Sequence, residues 1–226
     1  MLRAVIFDFD GVITDSEILH LRAFNYVLAA YGTRFSTEEY YKHYLGLSDS
    51  DLFTLLIDKQ ILRIPKDSIP TLIKQKNRYF EQLAKTEGKI IDGVRDFLSM
   101  LKKHNIPMAI CSGALRAEIE LILADSNLRS FFDVIVSAEE VKKGKPDPEG
   151  FLIVLNKLNK NAPQPISARD CIVIEDSHWG IEAANSAGMH SIAITNSYPP
   201  EKLAMAEKVV THLSELSIDD LRRLCS

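Results

Sequence analysis

The sequence has no apolar run approaching the roughly 20 residues a membrane-spanning helix requires, so no spanning segment is expected. It also lacks the pattern of an export signal. Arg3 is followed by only four apolar residues before Asp8 interrupts them, too few for the apolar core of such a signal. Cysteine is scarce. Cys111, Cys171 and Cys225 are odd in number and widely spaced, which argues against a zinc site and against a disulfide framework. Cys111 and Cys171 sit in apolar runs and read as small core residues. Reduced thiols of this kind point to a cytoplasmic protein. No charge sign is in excess: 27 Lys and Arg face 31 Asp and Glu, for a net charge of −4. That balance offers no general attraction to nucleic acid or to an anionic membrane. Any phosphate binding must therefore come from a local cluster of donors. There is no internal repeat and no low-complexity stretch.

What remains is a chain of 226 residues, 46% hydrophobic, enough for a large domain or a domain with an insert. Its organising stretch is Asp8-Phe9-Asp10-Gly11-Val12-Ile13-Thr14-Asp15. The preceding run Ala4-Val5-Ile6-Phe7 is uncharged and rich in strand formers, so it reads as a strand buried on both faces. A buried strand ending in two carboxylates has brought them to a sheet edge. Ionised carboxylates are costly to bury alone, which calls for a cation beside them. Gly11 permits a turn there that a side chain would resist.

Residues 16–87 change texture. Apolar residues recur at helical spacing from Ile18 to Leu28, Ser36-Thr37-Glu38-Glu39 resembles a capping box, and further helical patterns follow around Leu52–Leu56 and from Ile69 to Leu83. No strand is expected in this stretch. From residue 88 onward strand and helix alternate. Strands are predicted at 107–111, 134–136, 171–174 and 191–194, with a short sixth at 209–210, and helices at 93–104, 115–124, 148–158, 179–187 and 218–224. Alternation of this kind predicts an α/β fold, a parallel sheet with helices on both faces, carrying an inserted all-helical domain. Ligands of such sheets bind beyond the carboxyl ends of the strands. The order of the strands does not follow from the pattern.

Four strand ends carry chemistry-bearing residues: Asp8 and Asp10, Ser112-Gly113, Lys145 in Gly144-Lys145-Pro146-Asp147-Pro148, and Glu175-Asp176-Ser177. Together they suit phosphoryl transfer. Asp8 can attack phosphorus and carry the group as an aspartyl-phosphate. Asp10 can protonate the leaving oxygen and later activate water. Carboxylate and phosphate repel each other, so Mg2+ is needed between them, with Asp8 and Asp176 as hard oxygen ligands. Lys145, Ser112 and nearby N–H groups, including that of Gly113, can hold the transferring oxygens. Each residue also has a structural alternative. Ser112 and Ser177 suit helix caps, Asp176 a helix terminus, and Lys145 an exposed polar loop with Lys142 and Lys143. The coincidence at four separate strand ends favours the chemical reading.

The set resembles the haloacid dehalogenase superfamily of phosphotransferases, and the match covers nearly the whole chain. The resemblance implies Asp8 as nucleophile and Asp10 as acid/base. It implies Mg2+ held by the Asp8 side chain, the Asp10 backbone carbonyl and Asp176, with Glu175 close by. It further implies a Rossmann-like core, residues 1–15 and 88–226, with a helical cap at 16–87. Dehalogenating members do not keep an aspartate two places after the nucleophile, so Asp10 argues against carbon–halogen cleavage. Within the superfamily the chain looks most like the β-phosphoglucomutase-like branch, on Gly11 to Asp15, His20 and Lys76. Members of that branch use a cap histidine and lysine in substrate binding and proton transfer, which makes Glu17, His20 and Lys76 the cap candidates. The mutases also grip the second phosphate with a cap arginine, where this chain has Gly46-Leu47-Ser48-Asp49. An aspartate there is expected to repel a second phosphate.

The readings are then a Mg2+-dependent phosphatase acting on a small phosphorylated metabolite, with a sugar phosphate the first candidate, a phosphomutase of the same ancestry, or a non-enzymatic phosphoreceiver. The chain's length, its helical insert and Asp10 weigh against the receiver. No nucleic-acid or membrane partner is expected, and the protein is expected to be a monomer. Glu17 also suits a helix start. His20 can be a partly buried helix residue and Lys76 part of a solvated face. His178 and Trp179 are expected to pack at a helix start.

Overall fold

Ala4–Phe7 forms β1, and all four of its residues are buried. In the computed structural model, which describes residues 1–226 (residue 161 by its backbone alone), β1 belongs to a six-stranded sheet. The other strands are β2 (Met108–Cys111), β3 (Val134–Val136), β4 (Cys171–Glu175), β5 (His190–Ile194) and β6 (Lys208–Val210). Their spatial order is β3-β2-β1-β4-β5-β6 and all pairings are parallel. The chain moves outward from β1 through β2 to β3, then returns to lay β4 against the other side of β1. That reversal leaves a crevice beyond the carboxyl ends of β1 and β4, the usual ligand position in open α/β sheets.

Five helices accompany the sheet: α5 (Val94–Lys103), α6 (Arg116–Asp125), α7 (Glu149–Asn161), α8 (His178–Ser186) and α9 (Ile218–Leu224). Alternate strand residues face opposite sides. Ala4, Ile6, Ala109, Cys111 and Val173 pack on one side with Phe151 and Val154 of α7 and Ala183 and Ala184 of α8. On the other side, Phe7 meets Phe97 and Phe132 edge to face, at centroid distances of 6.1 and 6.0 Å. Helix α7 runs beyond the expected residue 158, because Asn159 ties its last turn to the incoming chain: its side chain donates to the Ile166 carbonyl and accepts from the Ile166 N–H.

The chain divides into two compact units, residues 1–15 with 89–226 and residues 16–88. The second unit holds α1 (Glu17–Ala29), α2 (Thr37–His43), α3 (Asp49–Asp58) and α4 (Ile69–Glu87), with no strand among the described residues. Ser36 and Ser48 cap α2 and α3, their side chains accepting from the N–H of Glu39 and Asp51. Phe24, Phe53, Leu52, Leu56 and Leu72 lie in its buried core. The division falls one residue later than expected. Gly88 still donates its N–H to the Ala84 carbonyl at 3.0 Å and so closes the last turn of α4.

The aromatic triad around Phe7 yields a stability prediction. Phe7→Ala removes a fully buried ring and should lower unfolding free energy by about 3–5 kcal/mol. Met205→Ala, at a half-exposed side chain, should stay within about 0.5 kcal/mol. Urea unfolding curves of the two variants check this. Equal losses would show that the ring cluster does not anchor this face of the sheet.

Candidate active site

The register fixes which strand ends meet. Phe7 stands opposite Ile174 of β4 and Ile110 of β2, so the next residue, Asp8, emerges between the ends of those two strands. Its N–H continues the ladder to the Ile174 carbonyl at 2.9 Å. Glu175 is the last residue of β4 and Asp176 follows it. Asp8, Glu175 and Asp176 are all buried, and each offers a carboxylate oxygen within 4.8 Å of the others'.

Lys145 enters this cluster from the loop after β3. Its Nζ donates to Asp8 Oδ1 at 2.6 Å, to Glu175 Oε1 at 2.6 Å and to the Cys111 carbonyl at 3.1 Å. Burial alone would lower the lysine's pKa, but the charges of Asp8 and Glu175 outweigh it and hold the ammonium above its ordinary value. Burial pushes the Asp8 carboxyl up to about 7, with Lys145 opposing and Glu175 and Asp10 adding to the rise. Burial, then the charges of Glu175 and Asp8, raise Asp176 well above the ordinary carboxylate range. One lysine therefore stands against three buried carboxylates. Clustered hard oxygen donors with surplus negative charge fit a hard divalent cation.

Glu175 organises the corner. Its Oε2 accepts from the Asp176 N–H, the Ser177 N–H and the Ser177 hydroxyl, while Oε1 takes Lys145. Ser177 in turn caps α8, accepting from the Gly180 N–H at 3.1 Å. Gly180 is required where it stands, since a Cβ there would run into the Glu175 carboxylate. Ser112 is buried at the end of β2, its Oγ accepting from the Ala114 N–H at 2.9 Å. It therefore shapes the turn after β2, while Leu115 occupies the N-cap position of α6. Gly113 lies exposed beside it. Asp10 is partly exposed, in the turn after β1 where Gly11 takes a φ of 76°. Its side chain is not one of the three clustered carboxylates.

Asp176 directly precedes Ser177, the N-cap of α8. Its Oδ2 accepts from the Ser197 hydroxyl, in the loop after β5. Asn196, next to it, donates to the Gly11 carbonyl at 2.7 Å. The sequence reading passed over both residues, although they too follow a strand end. His178 and Trp179 sit at the start of α8, their rings tilted by 38° at a centroid distance of 4.1 Å, with Tyr198 edge-on to His178 at 5.1 Å. Burial, then the charge of Lys202, lowers the His178 pKa.

The helical unit has a polar cluster of its own. Lys76 lies on the apolar stripe of α4 with Leu72 and Phe80 and is 1% exposed, so it is not part of a solvated face. Its Nζ pairs with Asp49 Oδ1 at 2.9 Å and donates to His20 Nδ1 at 2.8 Å. Phe24 and Phe80 rings flank it at 5.1 and 5.3 Å. Burial and the Lys76 charge hold His20 well below the usual imidazole range, so it accepts as a neutral ring. Glu17 opens α1 and accepts from the Tyr40 hydroxyl at 2.6 Å. Asp49, expected to repel a second phosphate, is paired with Lys76.

Lys145→Met should destabilise the metal-free protein by roughly 3–5 kcal/mol at pH 8, as expected on breaking a buried charge pair from one side. Without the lysine nothing opposes the burial that already raises Asp8. An acid whose pKa is raised on folding takes up protons, so its cost grows as pH rises above the unfolded-state value. The deficit should therefore shrink toward pH 5, where a proton substitutes for the ammonium. Denaturation midpoints of the variant across pH 5–8 test the sign, and a deficit independent of pH would contradict it.

Comparison with known proteins adds the last observation. Residues 5–194 match the family described as haloacid dehalogenase-like hydrolase. A phosphorylated carbohydrates phosphatase of Thermotoga maritima is 36% identical over 195 residues, covering 84% of each chain. The β-phosphoglucomutase of Bacillus subtilis is 30% identical over 225 residues, covering 96% of this chain and 93% of its own. The crystal structure of CbbY from Rhodobacter sphaeroides in complex with phosphate superposes with a TM-score of 0.86 at 25% identity, covering 98% of this chain and all of that one.

Proposed function

The chain belongs to the haloacid dehalogenase-like hydrolases, and from that premise we propose that it is a Mg2+-dependent phosphatase, hydrolysing a phosphorylated carbohydrate through an aspartyl-phosphate on Asp8. The observation that carries this reading is Lys145 held between Asp8 and Glu175 beside Asp176, at the crevice where the strand order reverses. In this reading Asp8 and Asp176 provide the side-chain ligands, with the Asp10 carbonyl and Glu175 completing the protein's share. Bound there, Mg2+ screens the negative charge between carboxylate and phosphate.

The residues divide the chemistry as follows. An Asp8 oxygen attacks phosphorus and the bond from phosphorus to the substrate's ester oxygen breaks. Asp10, protonated, gives its proton to that leaving oxygen. Lys145, the Ser112 hydroxyl and the Gly113 N–H hold the equatorial oxygens of the transferring group. Asp10, now a base, takes a proton from water as the water oxygen attacks the same phosphorus. The acyl-phosphate bond breaks, inorganic phosphate leaves, and the Asp8 carboxylate and protonated Asp10 are restored. Glu17, His20 and Lys76 are assigned to the part of the substrate that is not transferred.

The similarity to a β-phosphoglucomutase supports a second reading, in which the phosphoryl group returns to another hydroxyl of the substrate. Asp49 favours hydrolysis: paired with Lys76, it leaves the helical unit's cluster without surplus positive charge for a second phosphate. Incubating the protein with a hexose 1-phosphate and a catalytic amount of hexose bisphosphate separates the two. Free phosphate is expected, and conversion to the 6-phosphate without phosphate release would establish the mutase.

Asp8→Asn should abolish multiple turnover while leaving the fold intact, because an amide of the same shape is a poor nucleophile. Asp10→Asn should lower kcat by about 10²–10⁴-fold. Retention of most activity in either variant would overturn that residue's role. Proton linkage gives an independent test. Burial raises both Asp8, to about 7, and Asp176 above the ordinary carboxylate range, so cation binding there is expected to release protons. Mg2+ titration calorimetry at pH 7 should show an apparent enthalpy that depends on the buffer's ionisation enthalpy, and affinity should rise with pH through about 7. A buffer-independent heat contradicts the assignment.

A further inference from the structure

The loop after β5 touches the site at two points that the chemistry above does not use. Ser197 donates its hydroxyl proton to Asp176 Oδ2, and Asn196 donates from Nδ2 to the Gly11 carbonyl at 2.7 Å. The same carboxylate oxygen also lies hard against the Gly11 backbone. A Cβ added at Gly11 would run into Asp176 Oδ2 and stand 2.9 Å from Ser197 Oγ. Oδ2 is thus held by a hydroxyl, with the Gly11 backbone packed close beside it. Asp176 is buried, so a donor fixed on one of its oxygens stabilises the ionised form and holds the plane of the carboxylate. Asn196 applies the same control to the turn bearing Asp10.

We infer that Ser197 is a positioning residue for the cation ligand Asp176, and that Asn196 is its counterpart for the Asp10–Gly11 turn. The β5 loop then sets the spacing between the two halves of the cation site. This rests on the cation reading of the Asp8, Glu175 and Asp176 cluster. Residues that orient a metal-ligating carboxylate typically contribute 10–100-fold to metal affinity.

The probe is Mn2+, its free concentration counted by electron paramagnetic resonance in titrations of the wild type, Ser197→Ala, Ser197→Thr, Asn196→Ala and Asp176→Asn. Wild type should bind one Mn2+. Ser197→Ala should bind it about 10–100-fold more weakly. Ser197→Thr, which keeps the hydroxyl, should bind within a few-fold of wild type, and Asn196→Ala should fall between. In phosphatase assays, Ser197→Ala should lose rate at limiting metal and recover most of its kcat at saturating metal. A residue needed only for packing would not show that split or the rescue by threonine. Equal Mn2+ affinity in wild type and Ser197→Ala, with Asp176→Asn impaired, overturns the role of Ser197 while the cation site stands. No Mn2+ binding by the wild type overturns the cation reading itself, and this inference with it.

Discussion

One ammonium group among three buried carboxylates governs this site. Lys145 bridges Asp8 and Glu175 with two 2.6 Å contacts, and Asp176 adds a third acid within reach of both. Buried charge is tolerated where it is paired, and here the pairing is incomplete. The protein alone can close the deficit only by retaining protons on acids that would otherwise ionise, and the raised pKa values of Asp8 and Asp176 express that. A proton is a poor occupant for a nucleophile. On the proposed reading a divalent cation would remove the deficit and leave Asp8 ionised, so the arrangement that is costly without metal would be reactive with it.

The sheet makes this concentration of charge affordable by placing each acid at a strand end. Most of that was legible in the sequence, because each buried strand is a short apolar run that stops at a chemistry-bearing residue. Ala4–Phe7 and the run from Cys171 are of that kind. The strand order was not legible. Apolar runs state that strands are buried but not beside which neighbour, and the 174-to-7 pairing that joins Asp8 to Glu175 is a tertiary fact. Ser197 shows a different limit. It also follows a strand, but hydroxyl residues are common in loops, and only the approach of Asp176 marks this one.

In the helical unit, helix positions were readable and the polar interior was not. Lys76 could be read as solvated until the phase of α4 placed it between Leu72 and Phe80 on the buried stripe. Burial then required partners, and they come from α1 and α3: His20 and Asp49. Neither pairing lies within helical reach along the chain, so sequence spacing carried no sign of them. The pairing of Asp49 was hidden for the same reason, and a carboxylate's effect on a second phosphate depends on the cation that faces it.

The two buried lysines lead to opposite electrostatic results. Around Lys145 the acids outnumber the base, and on the proposed reading a metal cation would restore the balance where phosphate is accepted. Around Lys76 the charge is already spent on Asp49, His20 is held neutral, and Glu17 lies close enough to Tyr40 to raise its pKa beside the effect of burial. Such a cluster can exchange hydrogen bonds with hydroxyl groups, but it has no free positive charge to set against a second phosphate. On the phosphatase reading, this suits a substrate with one phosphoryl group and an uncharged polyhydroxy remainder. The two lysines therefore differ in how they are paired, which the number of lysines alone does not reveal.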